Sequence, residues 1–188
     1  MTKLSKLAMV LAATFGGASA AQAGVLPISA RAEVRLGYET PTVSDGSVYK
    51  LGNSASIGAE GGVDLAVSPF TSLGAFVAYD YANSQTCSGG YCLGSDGNTA
   101  YGARLAFSVA PKIKVYVKAG GDSFKLKASV YGYSDTKTLS GAMGALGLTV
   151  ATSAHTHLGV ELDYADLGKF AGVNFQRRHI ALTGGVHF

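Results

Sequence analysis

Arg178-His179-Ile180-Ala181-Leu182-Thr183-Gly184-Gly185-Val186-His187-Phe188 ends the sequence on an alternation that decides the fold. Successive side chains of a strand point to opposite faces. Ile180, Leu182, Val186 and Phe188 therefore share one face, while His179, Thr183, Gly185 and His187 share the other. A strand buried in a soluble core has no use for so polar a second face. A strand that closes a transmembrane barrel does, because one face meets hydrocarbon and the other a polar interior.

The opposite end of the sequence predicts export. Lys3 and Lys6 make a positive start, Leu7 to Phe15 is a short apolar run, and Ala21-Gln22-Ala23 is an A-x-A cleavage site. The expected division is a signal peptide over 1–23 and a barrel domain over 24–188. The apolar run falls well short of the roughly 20 residues a membrane helix needs, and no second such run follows.

Without Lys3 and Lys6, thirteen Lys and Arg face twelve Asp and Glu, a net charge of +1. That balance gives a nucleic-acid partner no electrostatic footprint. The 26 glycines and ten tyrosines, with no tryptophan and few charges, suit a membrane barrel better than a soluble sandwich.

Working back from the terminal strand, eight alternating segments are legible. The expected fold is all-β, an eight-stranded antiparallel transmembrane β-barrel. The first segments run over about 30–39, 55–67, 72–81 and 99–109. The fifth carries Ile113, Val115 and Val117 outward, and the sixth, over 140–150, has Met143 on its inner face. The seventh shows Leu158, Val160 and Leu162, and the eighth is the terminal strand. Short turns at 68–70, 110–112 and 152–156 alternate with longer polar stretches, the loop pattern of outer-membrane barrels. Tyr38, Tyr79, Tyr81, Tyr101 and Tyr164 fall on the apolar face near the long-loop ends. Phe107 and Phe188 fall on it near the short-turn ends, as two interfacial girdles would.

The other face carries the charge. Arg31, Glu33, Arg35, Glu60, Asp64, Asp80, Arg104, Lys114, Lys118, Glu161, Asp163, Arg177 and His179 all take the inward phase. A first hairpin in one register sets Arg31 beside Asp64 and Arg35 beside Glu60, and Asp80 is the nearest candidate partner for Arg104. Because an eight-stranded barrel is just wide enough for side chains to fill it, the expected interior is a sealed, ion-paired lumen rather than a pore.

Together these residues resemble the small OmpA/OmpX-type outer-membrane barrels, including opacity-like porin-family surface proteins, over nearly all of 24–188. The resemblance implies a place in the bacterial outer membrane, among outer-membrane lipid and lipopolysaccharide, and a monomer is expected. It also implies that Phe188 is part of a C-terminal signal read by the outer-membrane assembly machinery.

Chemistry is sparse. Cys87 and Cys92 are the only cysteines, and in an exported chain so close a pair reads as a disulfide. It contributes about 2 kcal/mol at most by loop-closure scaling. His157 and His187 share the inward phase, but two histidines without a third ligand are a poor metal site. No metal or cofactor is expected. A lipid-modifying enzyme needs a nucleophile and a base within reach, and no such pair stands out, so an enzyme is not expected. Envelope integrity and surface interaction through the outer loops are the expected roles, with a host or surface ligand, and a narrow diffusion channel is the runner-up. Residues 123–139 alternate Phe124, Lys125, Leu126, Lys127. They read either as a protruding hairpin or as a polar loop.

Overall fold

Alternation runs well past the membrane-length segments and produces ten strands in the computed structural model, which describes residues 28–130, 133–170 and 172–188. They are β1 (Ile28–Ser44), β2 (Val48–Lys50), β3 (Ser54–Ser68), β4 (Thr71–Ala82), β5 (Gln85–Ser88), β6 (Tyr91–Ala110), β7 (Ile113–Val130), β8 (Tyr133–Ala151), β9 (Thr156–Phe170) and β10 (Val173–His187). Neighbours pair in the order β10-β9-β8-β7-β6-β4-β3-β1, and β1 pairs with β10 to close the circuit. Every pairing is antiparallel. Closure satisfies the backbone between strands, which is what a sheet must do in lipid.

The expectation of an eight-stranded barrel, and of a resemblance to the eight-stranded class, is therefore corrected to ten strands. β2 and β5 lie off the closed circuit, where they pair with the upper ends of β1 and β6. With three and four residues, all exposed, they carry too few alternations to register as strands in the sequence. The leader expected over 1–23, with its cleavage site, lies outside the described residues.

The expected long loops are largely strand. β7 and β8 pair from Ile113↔Val150 to Val130↔Tyr133, so most of 123–139 is a protruding hairpin. β6, β7 and β8 have 20, 18 and 19 residues. About 9–11 suffice to cross a membrane, so nearly half of each stands beyond the lipid. At the other end the connections are tight turns, and Phe188 and Ala30 exchange backbone hydrogen bonds of 2.9 and 3.2 Å.

The outer band is apolar. Leu36, Ile57, Val77, Leu146, Leu162 and Leu182 are 53–67 % exposed, a continuous surface that water-soluble monomers do not carry. Aromatics are not confined to it. Phe76, Tyr116, Phe124 and Phe175 are buried inside. Tyr116 fits because Gly147 faces it across the β7–β8 pair, where a Cβ would collide with the ring.

The first hairpin is two residues out of the expected register. Arg31 lies opposite Gly62, and Glu33 opposite Glu60. A slip of two keeps every side chain on its face, whereas a slip of one would have turned the charges into lipid.

Candidate functional site

Among the described residues, nothing concentrates chemistry as the lumen does. Each strand delivers its charges inward at every second position, and the register stacks them in layers. Arg35 sits at the centre. Its guanidinium reaches Asp80 at 3.0 Å, Glu60 at 3.0 Å, Glu161 at 2.6 Å and Asp163 at 2.7 Å. Lys118 joins Glu60 and Glu161 at 2.5 Å each, and Tyr116 donates its hydroxyl to Glu161 at 2.6 Å.

Toward the short-turn end, Arg31 pairs with Glu33 and Glu60 at 2.7 Å and with Asp64 at 3.3 Å. His157 donates to Glu33 at 3.0 Å. Toward the long-hairpin end, Arg177 reaches Glu39 at 2.8 Å, Asp122 at 2.9 Å and Asp80 at 3.4 Å. Burying a charge is tolerable only when the pair and its hydrogen bonds are complete, because the desolvation cost of either ion alone is several kcal/mol. Most of these groups have at least two partners.

Above the charged layers the inward face turns apolar. Phe124 and Leu126 of β7, Leu139 of β8, Leu167 of β9 and Phe175 of β10 are buried together, with Val43 and Leu93 packed against them. Met143 faces inward at the lower margin of this cluster.

The inward candidates do not all join the network. Lys114 is exposed at the short-turn end, with no ion pair among the described residues. Arg104 pairs with Asp64 at 3.2 Å, not with Asp80, and it also lies over the Tyr116 ring at 4.2 Å. The expected Arg104–Asp80 pair is thus corrected. Asp80 is taken up by Arg35 and Arg177, because Arg104 stands opposite Gly74, six positions nearer the turn than Asp80. Arg31–Asp64 and Arg35–Glu60 do meet, but diagonally rather than across the ladder.

Sequence reasoning missed Glu39, Asp122 and Tyr116. Asp122 and Tyr116 have the parity of Lys118, so extending the fifth strand's alternation through Gly120 and Gly121 would have found both. Glu39 lies at the end of the first alternating segment, where parity alone does not distinguish a strand residue from a loop residue.

Two arrangements invite a catalytic reading. His179 donates from Nδ1 to Asp163 at 2.7 Å, and Ser56 Oγ lies 2.8 Å from Nε2, the order of a nucleophile, base and orienting acid. The set is shut in. Ser56 is 7 % exposed, and Asp163 already answers Arg35. A hydrogen-bonded filler for the lumen is what these distances describe. Asp80, Asp163 and His179 also bring ligand atoms within 4.8 Å of one another, but both carboxylates are occupied by guanidinium groups that a cation would have to displace. At the short-turn rim, His187 lies between His155 and His157, with ring centroids 6.1 and 6.0 Å away.

At the other end Cys87 and Cys92 are joined as a disulfide directly across the β5–β6 pair. β5, β6, β7 and β8 continue beyond the lipid as one sheet. β8 pairs with β9 from Ala142 onward and Gly141 still lies against Asp166 and Leu167, so among the described residues no strand pairs with its far edge from Tyr133 to Ser140.

The family described as outer membrane protein beta-barrel domain matches residues 8–188. The attachment invasion locus protein Ail of Yersinia pestis, solved with the heparin analogue sucrose octasulfate, is similar in structure. Its TM-score is 0.57 at 16 % identity, over 85 % of this chain and 99 % of that one. Neisserial surface protein A gives 0.55 at 17 % identity, over 85 % and 95 %. The outer membrane protein OprG of Pseudomonas aeruginosa gives 0.52 at 8 % identity, over 88 % and 98 %. At these identities the likeness is one of fold. No curated protein matches.

Proposed function

Because the chain belongs to the outer membrane protein beta-barrel domain family and is a bacterial outer-membrane barrel, we propose that it serves there as a closed, non-catalytic surface protein. Its working part is the sheet of β5 to β8 that stands beyond the lipid. In this reading residues 1–23 direct export, the tight turns face the periplasm, and Phe188 is read during assembly. The barrel is a monomer in this account. Lipopolysaccharide surrounds its outer half, where Arg178 lies exposed opposite Tyr164 and Lys125 and Lys127 project outward above Tyr101.

The observation that carries the proposal is the open edge of β8. Between Tyr133 and Ser140 its side chains are exposed, Leu139 excepted, and its free edge offers backbone donors and acceptors to a partner strand. Edge pairing draws affinity from the main chain and selectivity from alternate side chains. An unprotected edge of this length is otherwise a liability that proteins cover. The filled lumen supports the same assignment against a diffusion channel, because ion pairs and then an apolar cluster lie across the path.

Replacing Thr136 and Thr138 by proline tests it, since proline blocks strand addition at an edge. Cells displaying the unaltered protein are expected to retain a partner from a panel of serum and matrix proteins, and cells with the double variant to lose it while the barrel still folds. Equal retention by both would refute edge pairing.

A further inference from the structure

The periplasmic mouth of the barrel differs from both layers above it. It encloses a cavity of about 600 Å³ framed by the turn at Pro111 and Lys112, the turn at 152–154, and the two ends of the ladder at Ser29 and His187. Arg31, Arg104, Lys112 and Lys114 line it against a single carboxylate, Asp64. That carboxylate is already divided between Arg31 Nε at 3.3 Å and Arg104 Nη1 at 3.2 Å. The ammonium groups of Lys112 and Lys114 make no side-chain hydrogen bond or ion pair among the described residues, although the Lys112 carbonyl accepts from Ala151 N. At the floor, the Arg104 and Arg31 side chains are only 5 % and 4 % exposed, yet Arg104 Nε and Arg31 Nη2 lack any partner.

Unpaired buried guanidinium donors keep their desolvation cost until something accepts from them. Ser29, Ser72, Thr149 and Ser153 add hydroxyls around the same space. The ion-paired layers directly above are rich in carboxylates, so the positive excess is local to the mouth.

We propose that this vestibule binds a phosphate oxyanion presented from the periplasmic side, held by Lys112, Lys114 and Arg104. The same chemistry comes from two sources, a soluble phosphomonoester or the phosphodiester headgroup of an inner-leaflet lipid. The cavity is larger than inorganic phosphate needs and has room for a small organic substituent. A divalent metal on the three rim histidines is the rival occupant. The four cations around the same space repel it, and His157 already spends Nε2 on Glu33.

Side-chain NMR of the full chain in maltoside micelles, which contain no phosphate, tests this with two probes. One is sn-glycerol 3-phosphate, and the other is phosphatidylglycerol mixed into the micelle. Saturable shifts of the Lys112, Lys114 and His187 signals are expected with at least one of them. Response to glycerol 3-phosphate identifies a soluble ligand, and response to phosphatidylglycerol alone identifies a headgroup. In K112Q/K114Q, whose folding is checked by heat-modifiable migration, the dissociation constant rises at least tenfold, and in K112Q about threefold. Raising the salt weakens binding to the native protein more than to the double variant. Absence of a saturable shift with either probe, equal binding by the double variant, or saturation by zinc chloride alone would each overturn the proposal.

Discussion

β7 crosses two environments with one alternation. Below Gly120 its odd positions, Val115 and Val117, face outward, and Tyr116 and Lys118 face the lumen. Above Gly121 the odd positions are Lys125 and Lys127, and Phe124 and Leu126 are the ones inside. The backbone phase never changes, but the polarity of the two faces is exchanged. Within the lipid the barrel is apolar outside and charged inside. Beyond it the same sheet is polar outside and apolar inside, as a water-soluble barrel is. Asp122, paired with Arg177, marks the boundary. Solvent, and not strand geometry, decides which face is apolar.

The comparison breaks most readily at its charged half. Arg35→Ala leaves four carboxylates without their shared cation, and removing one partner of a buried pair costs about 3–5 kcal/mol or more. Urea unfolding in detergent should show that loss, and a cost below about 1 kcal/mol would mean that the layer is hydrated and not sealed. The lipid-facing side is next. Leu162→Arg should cost about 2–4 kcal/mol, whereas Lys125→Leu on the same outward phase beyond the lipid should cost almost nothing in heat-modifiable migration. Similar losses at both would place the boundary wrongly.

The apolar half has a related but separable signature. Leu126→Ala is expected to cost about 2–3 kcal/mol by cavity formation. The loss should appear as faster hydrogen exchange in the β7–β8 extension, with the membrane band unchanged. Exchange that accelerates through the whole barrel would show the two halves unfolding as one. A smaller effect sharpens the lower network. In a double-mutant cycle, Arg104→Ala and Asp64→Asn should couple by about 1 kcal/mol, and Arg104→Ala with Asp80→Asn should be nearly additive. The smallest expected signal is none at all, since a fluorophosphonate probe should leave Ser56 unlabelled despite its contact with His179. Labelling at Ser56 would reopen the catalytic reading.

The sequence made the membrane half legible because polarity and parity agree there over long runs. Every inward charge it assigned does face inward, from Arg31 on β1 to Arg177 on β10, though Lys114 belongs to the mouth and not to the network. The outer half was less legible for the reason β7 illustrates. Alternation persists, but its sign reverses, so Phe124-Lys125-Leu126-Lys127 fits a strand and a polar loop alike. Strands as short as β2 and β5 carry no period to read, so alternation alone shows eight of the ten strands. Pairing between particular charges was beyond reach because long side chains meet diagonally. Arg31 touches Asp64 from opposite Gly62.

Single-channel recording in planar bilayers addresses the central claim, a lumen closed by ion pairs inside the membrane and by an apolar cluster beyond it. The account predicts no discrete openings for the native barrel. It predicts openings only when both barriers are reduced together, as in Arg35→Ala with Leu126→Ser and Leu167→Ser. Steady, resolved conductance from the unaltered protein would contradict it.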